Sequence, residues 1–459
     1  MTYLDFLAGK RAVAPSVGID VGEDAMSAWL FPFQRDLTRW ALRKGRAAIF
    51  ADTGLGKTRM QLEWARLVGV PTLILAPLSV ARQTVAEAES LGLTVQYVRR
   101  QEDVSERIVI TNYEMLDHFD VSWFGAVVLD ESSILKATEG VTRNKLVDAF
   151  AATPYRLCCT ATPAPNDIQE ITNHSAFLGI MPRRDVLATF FKHDADDARA
   201  SGWRLKNHAR EAFWRWLASW GMSLKHPSDL GYEVEGYDLP PLRILPAIVP
   251  SNVVTPGQLF PMEPRGVTER AAVRKATKGA RVAEALRLIE AEPDEPWIAW
   301  CGLNDEQDAI AKALGDRAIS VQGSDSPEEK AARLEAFIDT PGAVLVTKPT
   351  LAGFGMHFQH RARMAFVGIG DSYEQYYQSV RRCYRFGQTR EVRAHVVVAD
   401  VEQVIYENVL RKEREAQEMA RELVKHVADY ERAEIGHVEQ GLRYEADQLM
   451  EVPAWLRNP

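Results

Sequence analysis

Apolar and polar positions along this chain follow two alternating patterns. Short continuous apolar runs recur at Arg46-Ala47-Ala48-Ile49-Phe50, Thr72–Ala76, Arg107–Thr111, Gly125–Leu129 and Tyr155–Cys159. Between them lie stretches with a helical spacing of apolar residues, such as Arg59–Val68 and Val80–Leu91. Continuous apolar strands separated by helices predict a parallel sheet buried on both faces. The alternation stops at about residue 180 and resumes later, with runs at Trp297–Trp300, Ala318–Val321, Ala343–Val346, Met364–Val367 and Ala394–Val398. Two α/β lobes are therefore expected. Right-handed crossovers in each place the loops that follow the strands along one edge of the sheet.

The segments between and after the lobes read differently. Arg183–Tyr237 shows no clear strand, and Trp203, Trp214, Trp216 and Trp220 fall among arginines and lysines. This predicts a small helical insertion. The tryptophans are expected mainly as its core; the competing reading is stacking on nucleic-acid bases. A Pro/Gly-rich passage from Leu239 to Gly266 reads as the interdomain connection, with a strand at Ile244–Val249. Val401–Glu434 is a charged helix with apolar positions at Val404, Ile405, Val409, Met419, Leu423 and Val427, expected to pack on the second lobe. The expected organisation is a first lobe over 1–180, an insertion over 181–238, a second lobe over 239–400 and a C-terminal helical segment over 401–459.

Composition narrows the class. The 459 residues exceed one ordinary core, and 46% hydrophobic with 26% charged residues are proportions of a soluble globular protein. A net charge of −8 leaves room for a local basic groove but not for a generally basic surface. Cys158, Cys159, Cys301 and Cys383 show no zinc spacing, and a reduced, cytoplasmic setting is expected. No apolar run approaches a membrane span, so no membrane partner is expected. His193, His208 and His226 form no metal-ligand pattern.

The candidate chemistry begins at Ala51-Asp52-Thr53-Gly54-Leu55-Gly56-Lys57-Thr58, between a strand and a helix. That context is what a phosphate-binding P-loop requires. Gly54 and Gly56 let backbone N–H groups approach phosphate oxygens, Lys57 supplies a cation for the β- and γ-phosphates, and Thr58 a hydroxyl for Mg²⁺. The strand Ala126–Leu129 ends in Asp130-Glu131-Ser132-Ser133. Asp130 is a candidate second Mg²⁺ ligand, and Glu131 a carboxylate able to polarise attacking water. Thr160-Ala161-Thr162-Pro163 follows the next strand. In the second lobe, Gln378-Ser379-Val380-Arg381-Arg382-Cys383-Tyr384-Arg385-Phe386-Gly387-Gln388 places Arg382 and Arg385 three apart, on one face of a predicted helix. Their guanidinium groups can neutralise charge growing on a γ-phosphate.

In this order, AxTGxGKT, DE, TATP and QxxxRxxRxGQ resemble helicase superfamily 2, and most of all its SNF2-like branch. The resemblance spans about Leu30–Val398. It implies two RecA-like lobes with ATP and Mg²⁺ between them. Phe31-Pro32-Phe33-Gln34 resembles the upstream adenine-reading motif, which makes Gln34 a nucleotide contact alongside Thr53, Leu55, Gly355 and Gln378. Pro77 and Ser79, Thr111 and Tyr113, Gly323, and Thr347 match motifs that contact nucleic acid. Three positions depart from the branch: Thr53-Gly54 stands in place of Glu-Met before the glycine, Ser132-Ser133 follows the acidic pair, and His357 replaces an asparagine. These and the chain's compactness suggest a small phage or bacterial member. The expected function is an ATP-driven motor translocating on duplex DNA, with single-stranded DNA as a second form of the partner. The alternatives are a strand-separating DNA or RNA helicase and, from another class, an ATP-regulated DNA clamp without motor activity.

Overall fold

The computed structural model describes residues 13–136, 140–193, 202–250, 273–354, 358–370 and 372–435. In chain order the strands of the first lobe are β1 (Arg46–Ala51), β2 (Thr72–Ala76), β3 (Gln96–Tyr97), β4 (Ile108–Asn112), β5 (Ala126–Asp130), β6 (Tyr155–Cys159), β7 (Phe191–His193), β8 (Trp203–Leu205) and β9 (Gly221–Leu224). All but β7 and β8 join one parallel seven-stranded sheet in the order β3-β4-β2-β5-β6-β1-β9. Helices α1 (Pro32–Lys44), α2 (Lys57–Val68), α3 (Leu78–Ser90), α4 (Val141–Ala149), α5 (Ile171–Leu178), α6 (Arg183–Phe190) and α7 (Arg210–Ala218) surround it. The continuous apolar runs are strands whose two faces feed two separate cores. Ile49, Ile74 and Val128 pack on one side, and Phe50, Leu73 and Val127 on the other.

The second lobe has β10 (Leu242–Val249), β11 (Trp297–Cys301), β12 (Ala318–Ser320), β13 (Val344–Thr347), β14 (Arg363–Val367) and β15 (Val392–Ala399). They form a parallel sheet in the order β10-β15-β14-β11-β13-β12. Its helices are α8 (Lys278–Glu290), α9 (Asn304–Leu314), α10 (Pro327–Asp339) and α11 (Tyr373–Val380), followed by the long α12 (Gln403–Ile435). This is the expected architecture of two RecA-like lobes and a C-terminal helix.

Three expectations need correction. The segment read as strandless carries an antiparallel pair, β7 with β8, and β9, which extends the first sheet alongside β1. Gly221-Met222-Ser223-Leu224 is too short and too mixed to announce itself. It becomes a strand because β1 has an open edge, which it fills with bonds such as Asp52 N–H to Leu224 O at 2.8 Å. Trp214, Trp216 and Trp220 are buried in the first lobe's core, whereas Trp203 is half-buried. The second correction concerns α12, which packs on both lobes. Ile405 and Val409 enter the second lobe's core, and Met419 and Leu423 enter that of the first. The third is that α11 stops at Val380, so Arg382 and Arg385 lie in the turns beyond it. The helix ends there because the Arg382 carbonyl accepts from Phe358 N–H at 2.9 Å. Cys383, next in line, is drawn into the core.

Candidate nucleotide-binding site

β1 delivers the chain into the P-loop, and α2 takes it out. Gly54 (φ 92°) and Gly56 (φ 77°) have left-handed backbones that a side chain would strain. Space is tight as well. A Cβ on Gly56 would lie 2.3 Å from Gln34 Nε2, and one on Gly54 3.1 Å from the Phe386 backbone nitrogen in the other lobe. Lys57 Nζ donates to the carbonyls of Ala51 (2.9 Å) and Asp52 (3.3 Å), so the loop curls around its own lysine.

The acidic pair stands at the end of β5, two strands from β1. Asp130 Oδ1 accepts from Gln61 Nε2 at 2.7 Å and from Glu131 N–H at 3.1 Å. Tyr113 Oη donates to the Asp130 carbonyl at 2.7 Å. Glu131 has φ 52°, alone among the described non-glycine residues in having a positive φ, and Thr160 Oγ1 donates to its Oε2 at 3.2 Å. Thr160 in turn accepts from Thr162 N–H at 3.1 Å, which ties the TATP segment to the carboxylate. Burial raises the pKa of both carboxyls, and the charge of Lys57 opposes it.

The second lobe closes the site. Arg382 and Arg385 line the same cavity of about 650 Å³ as Lys57, Thr58, Asp130 and Glu131. Burial lowers the pKa of Arg382 while Glu131 raises it. Burial and the neighbouring Arg382 bring Arg385 down to about 10. Both guanidiniums stay charged at neutral pH. A volume of this size, with cations on two sides and carboxylates on a third, suits a nucleoside triphosphate. The donor set fits Mg²⁺, which Thr58 and Asp130 would hold. Thr58 and Asp130 face one cavity, and among the described residues no group of three His, Cys, Asp or Glu forms a closed metal cage.

Comparison with known families agrees with this geometry. Residues 33–218 match the family model of the SNF2-related domain. The first lobe of the chain thus resembles an SNF2-related domain. Among solved structures it is similar to the Sulfolobus solfataricus SWI2/SNF2 ATPase core in complex with dsDNA, at 16% identity and a TM-score of 0.43. That match covers 87% of this chain and 96% of the other, a likeness too loose for residue-by-residue comparison. No curated protein sequence matches.

The remaining candidate residues fall into three groups. Gln34, Thr53 and Gln378 line the cavity. The Gln34 amide is already committed, accepting from Phe31 N–H (3.0 Å) and donating to the Leu55 carbonyl (3.0 Å), so it braces the P-loop. Leu55 itself is buried, and Gly355 lies outside the described residues. Pro77, Thr111, Tyr113, Gly323 and Thr347 all sit at or just beyond strand ends, as does Ser79. The side chains of Thr111, Tyr113 and Thr347 are nevertheless buried, unlike those of surface contact residues. Thr347 Oγ1 donates to the Val321 carbonyl at 3.1 Å, and Tyr113 supports Asp130. Strand ends in a two-sided sheet turn such groups inward, and of the three Tyr113 and Thr347 bond to backbone carbonyls there.

Sequence reasoning missed an aromatic group at one end of the cavity. Phe31, Tyr237 from the end of the insertion and Phe386 line it, with the Tyr237 and Phe386 rings 4.8 Å apart. A faint signal was present in Gly236 (φ 90°), whose Cβ would meet the Phe386 ring at 2.7 Å. Gln61 was missed too, although it lies one helical turn beyond Lys57 and Thr58.

Proposed function

We propose that this chain is an ATP hydrolase that converts closure of its two lobes around ATP into movement along duplex DNA. One observation carries the reading: one cavity is lined by Lys57, Asp130 and Glu131 of the first lobe together with Arg382 and Arg385 of the second. A pure binding module has no need of a water-polarising carboxylate opposite a pair of arginines. In this reading Thr53–Gly56 cradle the phosphates with backbone N–H groups, and Lys57 holds the β- and γ-phosphates. Thr58 and Asp130 would hold Mg²⁺, which supplies charge neutralisation at the phosphate oxygens when bound. Glu131 accepts a hydrogen bond from the attacking water. Arg382 and Arg385 meet the charge that develops on the γ-phosphoryl oxygens. Phe31, Tyr237 and Phe386 enclose the base.

DNA is the partner that the SNF2-related domain supports. The strand-end positions Pro77, Ser79 and Gly323, with the backbone at Thr111, Tyr113 and Thr347, are its proposed contact line. With a chain of net charge −8, binding must be local, and phosphate contacts must dominate it. The test is steady-state phosphate release with no nucleic acid, single-stranded DNA, duplex DNA and RNA in parallel, each at several salt concentrations. Duplex DNA is expected to stimulate most, and the stimulation to fall steeply with salt. Hydrolysis indifferent to nucleic acid, or answering only to RNA, overturns the DNA part of the reading.

A further inference from the structure

Asp52 is an odd residue to find in a phosphate-binding loop. Its carboxylate, carried by the loop that is to hold a triphosphate, opens on a separate cleft with Lys225, Tyr373 and Tyr377, and a negative charge on that loop opposes binding. The structure gives that carboxylate partners from the other lobe. Arg381 Nη2 donates to Asp52 Oδ2 at 2.6 Å, and Tyr377 Oη donates to Oδ1. Thr53 N–H adds a local bond to Oδ1 at 2.6 Å. The Arg381 guanidinium also lies 5.1 Å from the Tyr377 ring centroid and 5.2 Å from that of Tyr384. The Arg381 and Asp52 side chains are only 19% and 7% exposed, so the pair is largely withdrawn from water. Asp52 is also the residue whose carbonyl, with that of Ala51, accepts from Lys57 Nζ. The same helix grips the first lobe a second time. Glu374 of α11 accepts from Ser133 Oγ at 2.5 Å and pairs with Lys136, in the segment just after Glu131.

We propose that Arg381 is a positioning residue: by adding its charge to that of Lys225 at Asp52 only when the lobes are together, it makes triphosphate binding at the P-loop depend on lobe closure. This rests on the nucleotide reading of the cavity given above. With the lobes apart, Asp52 loses Arg381 and Tyr377, and its charge disfavours the phosphates. With the lobes together, the carboxylate is paired and the loop accepts them. By linkage, the triphosphate then favours the closed arrangement to the same degree. Arg381 does not line the nucleotide cavity; it acts through Asp52.

Rescue distinguishes this role from plain packing. Arg381→Met should leave the Asp52 carboxylate without its cross-lobe cation and weaken binding of a fluorescent, non-hydrolysable ATP analogue by about 10- to 100-fold. Steady-state ATPase with saturating duplex DNA should show a raised KM. Asp52→Asn placed on top of Arg381→Met should recover at least about ten-fold of that loss, because the offending charge is gone. Should Arg381→Met fail to fold by circular dichroism, Arg381→Gln takes its place in the same pair of measurements. No loss in the arginine variant, or a loss that Asp52→Asn does not rescue, overturns the proposal. The two readouts separate it from the hydrolase reading. Loss and rescue of analogue binding in a protein that hydrolyses nothing sinks the hydrolase and keeps the Asp52–Arg381 coupling. An active wild type whose variants show no rescue does the reverse.

Discussion

Glu131 occupies a left-handed backbone conformation (φ 52°) that costs a non-glycine residue of order 1–3 kcal/mol. Its carboxyl is also held in a buried place that raises its pKa. Both features oppose stability, as expected when a residue is placed for chemistry. Glu131→Gln should therefore keep the fold, with a Tm no lower than wild type, and keep ATP binding, while turnover falls by at least about 10²-fold. Parallel calorimetry and phosphate release check this, and wild-type turnover in the variant would remove Glu131 from its role. A second residue-scale prediction concerns two neighbours on one turn of chain. His174 is fully buried, and burial brings its pKa down to about 4. Because its folded value lies below the unfolded 6.5, its contribution is present above pH 6.5 and lost as pH falls toward 4. Glu170 is the opposite case, with burial pushing its pKa up to about 7 from 4.5. Its contribution is present below pH 4.5 and lost as pH rises toward 7. Between pH 4.5 and 6.5 the two slopes, each about 1.4 kcal/mol per pH unit, cancel. Removing either one should expose the other. From pH 5 to 6.5, Glu170→Gln should gain roughly 2 kcal/mol in urea unfolding and His174→Gln should lose roughly as much. Matching slopes in the two variants would show that one of these groups is not buried as described.

At the scale of elements, the turn after α11 matters more than the helix. The spacing of Arg382 and Arg385 was legible as two guanidiniums aimed in one direction, but the helix assumed to aim them ends first. The turn does so through Phe358 N–H to Arg382 O and through the Gln388 side chain, which donates to the carbonyls of Arg361 (2.8 Å) and Cys383 (3.2 Å). The bonds to Phe358 and Arg361 are long-range, which local spacing cannot show. Arg382→Ala and Arg385→Ala should each lower kcat by about 10³-fold while changing ATP affinity much less, since their work is done on transition-state charge. Near-normal kcat in both variants would make these arginines structural. The same contrast explains what else could be read from sequence. The P-loop and the β5 acidic pair were legible because their chemistry and local structure are fixed within a few residues. β9 was not, because four residues with a glycine and a serine become a strand only beside the open edge of β1. The aromatic end of the cavity was not, because Phe31, Tyr237 and Phe386 come from three distant segments. Nor were the buried side chains of Thr111, Tyr113 and Thr347, whose motifs suggested surface contacts while the sheet turned them inward.

At the scale of the whole molecule, α12 decides how the lobes are joined. Its 33 residues give a rod of about 50 Å, long enough to leave one lobe and reach the other. Ile405 and Val409 anchor it in the second lobe, and Met419 and Leu423 fill the core of the first beside Trp214 and Trp216. Polar contacts follow the same path, with Lys412 Nζ donating to Asn166 Oδ1 at 3.0 Å and Arg210 pairing with Glu418. A helix read from its periodicity as belonging to one lobe thus completes the hydrophobic core of the other. The amphipathic pattern was legible, but not the fact that its apolar face is shared between two cores. A truncation after residue 235 would therefore strip the first lobe of part of its core as well as of its opposing arginines. The sharper test leaves the chain whole. Leu423 is fully buried, and Leu423→Ala should cost about 2–5 kcal/mol. That loss should fall on the first lobe and on its coupling to the second, so calorimetry should show an early transition splitting away from a later one. Val409→Ala, at the other anchor, should move the later transition instead. Duplex-stimulated ATPase should fall in both, because a loosened α12 lets the lobes separate and leaves Arg382 and Arg385 away from the P-loop more of the time. If Leu423→Ala leaves both the transitions and the ATPase as in wild type, α12 merely rests on the first lobe, and the closed arrangement must be held by the other cross-lobe contacts, those of α11 and Arg381 to Asp52, Ser133 and Lys136 and that of Phe386 to Tyr237.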